Sequence, residues 1–171
     1  MKNLGVLAAV LGLFAAGALR AAEPAKGGSV EVIFDHPENF TDVKDSSQPT
    51  EKGRQAILDQ IRKYLVAEAG HFLPEGYALK ITFTDIDLAG DFEPWRGPEF
   101  DDIRVVKPIY PPAFKFSYTV TDPAGRVVKQ AALSIRDLGF ESRTTLEASD
   151  PLRYEKDILH DWMRENLQGI K

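Results

Sequence analysis

The chain contains no cysteine. That absence excludes thiol nucleophiles, zinc ribbons, iron–sulfur clusters, lipid attachment through an N-terminal Cys and any disulfide framework, so stability has to come from a hydrophobic core. Histidine is scarce, with three in 171 residues. His36, His71 and His160 fall at a strand end, a helix-to-strand turn and a helix, and no two share a ligand spacing. There is no excess of positive charge either: 21 Lys and Arg stand against 26 Asp and Glu, a net charge of -5. Nucleic-acid binding, which relies on many cations neutralising phosphates, therefore has no electrostatic footprint. H-E-x-x-H, G-x-S-x-G, Walker and G-x-G-x-x-G patterns are all missing, and no cofactor is expected.

Long apolar runs are missing after the first twenty residues. Met1-Lys2-Asn3 is a short basic start, and Leu4 to Leu19 is uncharged and rich in Leu, Ala and Gly, ending near Ala16-Gly17-Ala18. This is the pattern of a secretory signal peptide. Cleavage after Ala18 satisfies the small-x-small rule best, with Ala21 and Ala22 as alternatives. A membrane-spanning helix needs roughly 20 apolar residues, and this run is shorter and holds Gly5, Gly12 and Gly17. The expected organisation is a signal peptide over 1–22, a flexible tether over 23–28 and one globular domain over 29–171, with no transmembrane span after cleavage. The expected location is the periplasm, with an extracellular location as the alternative. About 150 mature residues are enough for one domain with its own core.

Two periodicities organise that domain. Val30, Val32 and Phe34 alternate with Glu31 and Ile33, the period-two signal of a strand. Polar residues Asp45 to Pro49 then start a helix expected over about Pro49 to Ala69, in which Ile57, Leu58, Ile61, Tyr64 and Leu65 recur at three- and four-residue spacing. Gly70 and Pro74-Glu75-Gly76 are expected to end it, and Tyr77 to Asp85 alternates as a second strand. Asp87 to Pro112 reads as a long loop with a short strand at Ile103 to Val106. Phe114 to Val120 and Arg126 to Ile135 flank an Asp122-Pro123-Ala124-Gly125 turn as a hairpin. Asp150-Pro151 opens a closing helix with a stripe of Leu152, Ile158, Leu159, Trp162, Met163 and Leu167. The order β-α-β-loop-β-β-α, with apolar residues on one face of the strands, predicts a two-layer α+β sandwich: a mixed four-stranded sheet with two main helices on one face.

Four short motifs carry a family resemblance: Phe40-Thr41-Asp42-Val43, Thr84-Asp85-Ile86-Asp87-Leu88-Ala89-Gly90, Tyr110-Pro111-Pro112, and Ser149 through Lys156. In their order and spacing the chain resembles an uncharacterised family of exported bacterial proteins, domain of unknown function 3016, over about Val30 to Leu167. The resemblance implies an export signal and one small domain from Gram-negative bacteria, with no assigned activity, cofactor or catalytic residue.

Candidate chemistry is thin. Asp85, Asp87, Gly90 and Asp91 begin like a calcium loop, but the fifth position is Ala89 and the twelfth is Arg96. These three carboxylates are weak metal candidates, and the expected reading is that Asp85 and Asp87 cap a turn or pair with Arg96 or Arg104. Glu93, Asp101 and Asp102 are expected to be solvated. Loops beyond about 12 to 15 residues in a compact domain usually carry function, and this one holds Trp95, Phe100 and Tyr110. Phe100 is expected as a lid on the core, and Trp95, Arg96, Arg104 and Tyr110 as a binding patch. Two functions follow. The first is a non-catalytic periplasmic or envelope-associated accessory domain that binds a protein, peptide or envelope component. The alternative is a small exported hydrolase or metal-dependent enzyme using Asp85, Asp87 and Asp91.

Protein isolated from the cell envelope of its native host should lack Met1 to about Ala18 or Ala22; an intact mass equal to the full precursor would overturn the export reading.

Overall fold

The structure, a computed structural model, describes residues 28–143 and 149–170. The expected signal peptide (1–22) and, apart from Gly28, the expected tether (23–28) lie outside the described residues.

Alternation sets the strands. In β1 (Ser29–Phe34) Val32 is buried and Glu31 is exposed. The helix α1 (Glu51–Phe72) begins at Thr50, whose hydroxyl accepts from the Gly53 N–H at 2.9 Å, the capping that an extended Thr supplies to an orphan donor. Its buried residues Leu58, Ile61, Leu65 and Ala69 recur every three or four positions. The helix runs a turn past its expected end: Gly70 lies inside it, facing open space. Leu73 is extended (φ -98°, ψ 135°), as the residue before Pro74 must be to avoid the proline ring, so the proline ends the helix and the glycine does not.

β2 (Ala78–Asp87) lies parallel to β1, with Val32 opposite Ile81, and α1 is the crossover that a parallel neighbour requires. The long connection holds a small ladder of β3 (Asp91–Phe92) and β4 (Arg104–Val105), with single 3-10 turns at Pro94–Arg96 and Pro98–Phe100 between them. β5 (Ala113–Thr121) and β6 (Val127–Arg136) form the expected hairpin, and the closing helix α2 spans Arg153–Leu167. Asp150 does not cap that helix directly. Its carboxylate accepts from the Leu152 N–H at 2.8 Å, fixing a turn just ahead of the first helical residue. The main sheet has the order β1-β2-β5-β6, and β5 is antiparallel to both its neighbours. The α+β fold with a mixed four-stranded sheet is therefore as the sequence predicts.

The core lies between the sheet and the helices. Phe34, Phe83 and Phe116 make a row across three strands, with ring centroids 5.6 and 5.3 Å apart, and Trp162 of α2 meets Phe116 edge-on at 4.9 Å. The opposite face carries Lys80, Thr84, Lys115, Ser117, Ala132 and Ser134, all exposed. A bulge between Phe83 and Asp85 shifts the phase of β2: Leu79, Ile81 and Phe83 face the core, and so does Ile86. Asp85 and Asp87 are thereby turned out of the core. Among the described residues no helix is long and apolar enough to cross a membrane.

Trp162 is 3% exposed between Phe116 and Tyr118. Trp162→Ala should cost about 3 to 5 kcal/mol, a fall in Tm on the order of 10 °C; an unchanged Tm would show that this face of α2 does not carry the core.

Candidate functional site

Four segments distant in sequence meet at the end of the sheet beyond the bulge. Phe40 to Val43 runs beside the end of β2: the Asp42 N–H donates to the Ile86 carbonyl at 3.0 Å, and the Asp42 carbonyl accepts from Leu88 at 3.1 Å. Phe40 and Val43 enter the core. The Gly90 N–H donates to the Tyr110 carbonyl at 3.0 Å, and the Ala89 N–H donates to Glu155 Oε1 of α2 at 2.6 Å. These are the segments whose motifs carry the family resemblance. Gly90 is needed here twice over: its φ is +79°, and a Cβ would sit 2.8 Å from the Val105 carbonyl oxygen.

Arg104 fastens the loop to this junction. Its guanidinium donates to both oxygens of Asp42 (2.8 and 3.2 Å), to the Gly90 carbonyl (2.9 Å) and to the Lys44 carbonyl (3.0 Å), and lies 4.7 Å over the Phe92 ring. Bidentate pairing of this kind suits the planar fork of arginine and is stronger than a neutral hydrogen bond. A second clasp forms around Glu93, which is 2% exposed. It accepts from Lys107 Nζ (2.5 Å), from the Tyr110 hydroxyl (3.1 Å) and from Arg96 (3.3 Å). The Lys107 hydrogen bond holds the Glu93 carboxyl below its ordinary range against the cost of desolvation, while Tyr110 is raised by desolvation and by its bond to Glu93. The solvated Glu93 expected from sequence is thus a buried, three-partner carboxylate.

The three aspartates of the candidate metal loop do not converge. Asp85 accepts from the Thr41 N–H (2.8 Å), the Thr41 hydroxyl (3.0 Å) and Lys115 Nζ (2.8 Å). Burial alone would raise it, but Lys115 and Thr41 together hold it low. Asp87 faces Arg136 at 3.5 Å, and burial keeps its carboxyl above the ordinary range. Asp91 accepts from the Phe92 N–H at 2.8 Å. The expected pairing of Asp85 or Asp87 with Arg96 or Arg104 is corrected accordingly: those arginines serve Glu93 and Asp42, because the bulge turns Asp85 and Asp87 toward Lys115 and Arg136. A groove of about 140 Å³ contains Asp42, Asp87 and Asp91 with Tyr110 and Arg136, but not Asp85 and no His or Ser. Among the described residues no group of three His, Asp or Glu side chains is placed to hold a metal ion.

Of the four residues expected to form a binding patch, Trp95 stands free, 70% exposed on its 3-10 turn. Arg96 reaches back to Glu93 and stacks 4.4 Å over Phe100. Arg104 and Tyr110 are the fasteners already described and face inward. Phe100 is no lid; it is half-buried beneath Arg96, and the buried aromatic of this loop is Phe92, 6% exposed beneath Arg104. Sequence reasoning missed Ile109, 71% exposed on the stretch of loop that carries Lys107 and Tyr110. It also missed Asp42 and Glu155, both buried. For Glu155 a signal exists: it occupies a gap in the α2 apolar stripe, between Leu152 and Ile158, where the helical period calls for an apolar side chain.

The fold and the junction define a two-layer α+β domain whose long loop is fastened by buried ion pairs. The chain belongs to the family described as protein of unknown function, DUF3016, which it matches over residues 28–165. No curated protein matches it. Among solved structures it is similar to a dodecamer of a PelC variant from Paraburkholderia phytofirmans at 12% identity, over 86% of this chain and 94% of that one, with a TM-score of 0.31. A likeness at that level carries no argument about function.

Glu155 makes the junction sensitive to pH. Burial lifts its carboxyl to about 7, partly opposed by the Ala89 N–H and by the charges of Arg104 and Arg153. A carboxyl raised in the folded state binds more protons folded than unfolded, so its contribution falls as pH climbs from the unfolded value of 4.5 and is lost above about 7. Glu155→Gln, which mimics the protonated form, should match the native protein near pH 4, below the unfolded value of 4.5, and exceed it at pH 8 by up to roughly 3 kcal/mol. Parallel melts at the two pH values check this; a constant difference between the two proteins would show that Glu155 does not titrate in this range.

Proposed function

We propose that this protein is an exported, non-catalytic binding module of the periplasm, and that it engages a partner in the envelope through the loop between β2 and β5. The observation that carries the reading is Trp95. A large aromatic at 70% exposure is costly to leave in water, and here its segment is clamped to the segment of Ile109, 71% exposed, by the buried Glu93. A loop pinned from beneath holds its apolar contacts in place before binding, so little conformational freedom remains to be lost on association. Trp is one of the three residue types enriched at interface hot spots. Support for export comes from the basic start and apolar run of residues 1–19. The alternative, a hydrolase or metal-dependent enzyme built on Asp85, Asp87 and Asp91, is disfavoured: Asp87 and Asp91 share a groove, but Asp85 is outside it and each carboxylate is engaged by a different partner.

Photo-crosslinking in the native host tests this reading. A photoreactive phenylalanine at position 95 or 109 should give the same periplasmic adduct, and one at Thr84 on the outer sheet face should give none. Trp95→Ala should weaken the position-109 adduct about 30-fold, the equivalent of about 2 kcal/mol, while changing folding stability by no more than about 0.5 kcal/mol. Absence of any adduct at 95 and 109, or recovery of the protein in the cytosolic fraction, would overturn the proposal.

A further inference from the structure

A second concavity lies on the helical side of the junction. It offers about 250 Å³, partly open to solvent, between α1, the segment after β2 and the start of α2, and its walls include Ile57, Leu88, Phe92 and Leu152. Glu155 and the Ala89 to which it is bonded both line it. Only one oxygen of that carboxylate is satisfied. Oε2 is buried and has no hydrogen-bond partner among the described residues, and the side chain as a whole is 1% exposed. A buried carboxylate with a vacant acceptor is a standing cost to the fold, of a size that one good donor removes.

We propose that this cleft binds a small primary ammonium group, with Glu155 receiving the charged nitrogen and the apolar walls receiving a short alkyl chain. The charges around the cleft favour a cation. Its two basic side chains are directed elsewhere: Arg104 to Asp42, Gly90 and Lys44, and Lys44 to Asp42 at 3.8 Å. Its acidic side chains are matched only in part, the charges of Arg104 and Arg153 reaching Glu155. Among the described residues Asp45 is bound by the Thr50 N–H and hydroxyl and by no cation, Asp102 stands exposed and makes no ion pair, and Glu155 has the unpartnered oxygen. Three carboxylates against two cations leave the lining with a formal excess of one negative charge, and the apolar walls strengthen its pull by lowering the local dielectric. Size limits the ligand: at about 30 Å³ of liquid volume per water-sized group, the cleft holds about eight non-hydrogen atoms. That is an amine with a chain of about six carbons, or the butyl-ammonium end of a lysine side chain. This site differs in its chemistry from the Trp95 contact and does not depend on it.

The probes are n-hexylamine for a free amine and Nα-acetyl-lysine amide for a peptide side chain, with 1-hexanol as the neutral control, added to protein purified from its native host at pH 8. Ligands of so few atoms bind in the millimolar range. With a Kd near 1 mM, about 10 mM hexylamine should raise Tm by about 3 °C or more, and 1-hexanol should bind at least tenfold more weakly. Glu155→Gln should lose the effect while still folding. Gln60→Trp, an exposed position at the mouth, should weaken binding tenfold without lowering the melting temperature of the free protein. Tighter binding of the lysine amide than of hexylamine assigns the site to a peptide, and the reverse assigns it to a free amine. Equal responses to hexylamine and hexanol, survival of the effect in Glu155→Gln, or no response to either amine would overturn the proposal.

Discussion

Arg104 joins three separated segments through one planar group. Its fork takes both oxygens of Asp42, which continues the line of β1, together with the carbonyls of Gly90 and Lys44, and its face covers Phe92. The long connection between β2 and β5 has almost no sheet of its own: β3 and β4 share two residue pairs, far too few to be stable in isolation. What orders the connection is this side chain. A buried ion pair is not in itself a source of much stability, since desolvation offsets attraction. Its effect lies in geometry, because only one placement of the loop satisfies all four acceptors at once.

Everything else at this end follows from that placement. With Arg104 seated, Gly90 is held against the Val105 carbonyl and the Ala89 N–H is aimed at α2, where Glu155 answers it. The far side of the loop is then short enough for Lys107 and Tyr110 to reach Glu93. The same constraint sorts the aromatics. Phe92 lies beneath the guanidinium and is buried, whereas Trp95 and Ile109, two and sixteen positions past Glu93 in the chain, are left facing solvent by the clasp that holds their segments. A loop of this length with a buried carboxylate at its centre is an internal support carrying an outward surface.

The strands, the helices and their layering are legible in the sequence because they rest on local rules: alternation in Leu79 to Phe83, three- and four-residue spacing in Leu58 to Ala69, and turn chemistry at Asp122 to Gly125. Even the bulge leaves a trace, since the apolar phase of β2 shifts between Phe83 and Ile86. The end of α1 is misread from sequence because a glycine weakens a helix by about 1 kcal/mol whereas a proline forbids its continuation, and Pro74 lies one turn beyond Gly70. The junction is illegible for a different reason. Arg104 pairs with a residue 62 positions away, and Glu155 with one 66 positions away; no period or spacing encodes such partners, and an aspartate or glutamate destined for burial looks the same in sequence as one destined for water. The candidate patch therefore mixes Trp95, which faces out, with Arg104 and Tyr110, which hold the loop from within.

The two ends of the sheet show where local rules suffice and where they do not. At the hairpin end Asp122 is also buried, yet its carboxylate is satisfied within four residues by the N–H groups of Ala124 and Arg126 and by the Arg126 guanidinium, so that end can form as soon as the turn does. At the loop end the shortest bonds to Asp42 and Glu93 come from Arg104 and Lys107, which reach them only when separated segments have docked, and Glu155 finds just half of what it needs. Buried polar atoms without a partner also occur elsewhere among the described residues, at Asp157 Oδ2 and Trp162 Nε1; Glu155 differs in lying where distant segments meet, on the wall of an apolar cleft. A leucine at position 155 would complete the stripe of α2 and remove the unfilled acceptor, but it would leave the buried Ala89 N–H without its partner. The glutamate thus has a structural task in accepting the Ala89 N–H, and its second oxygen, on the wall of a cleft with apolar sides, is the acceptor that the proposed ammonium group would fill.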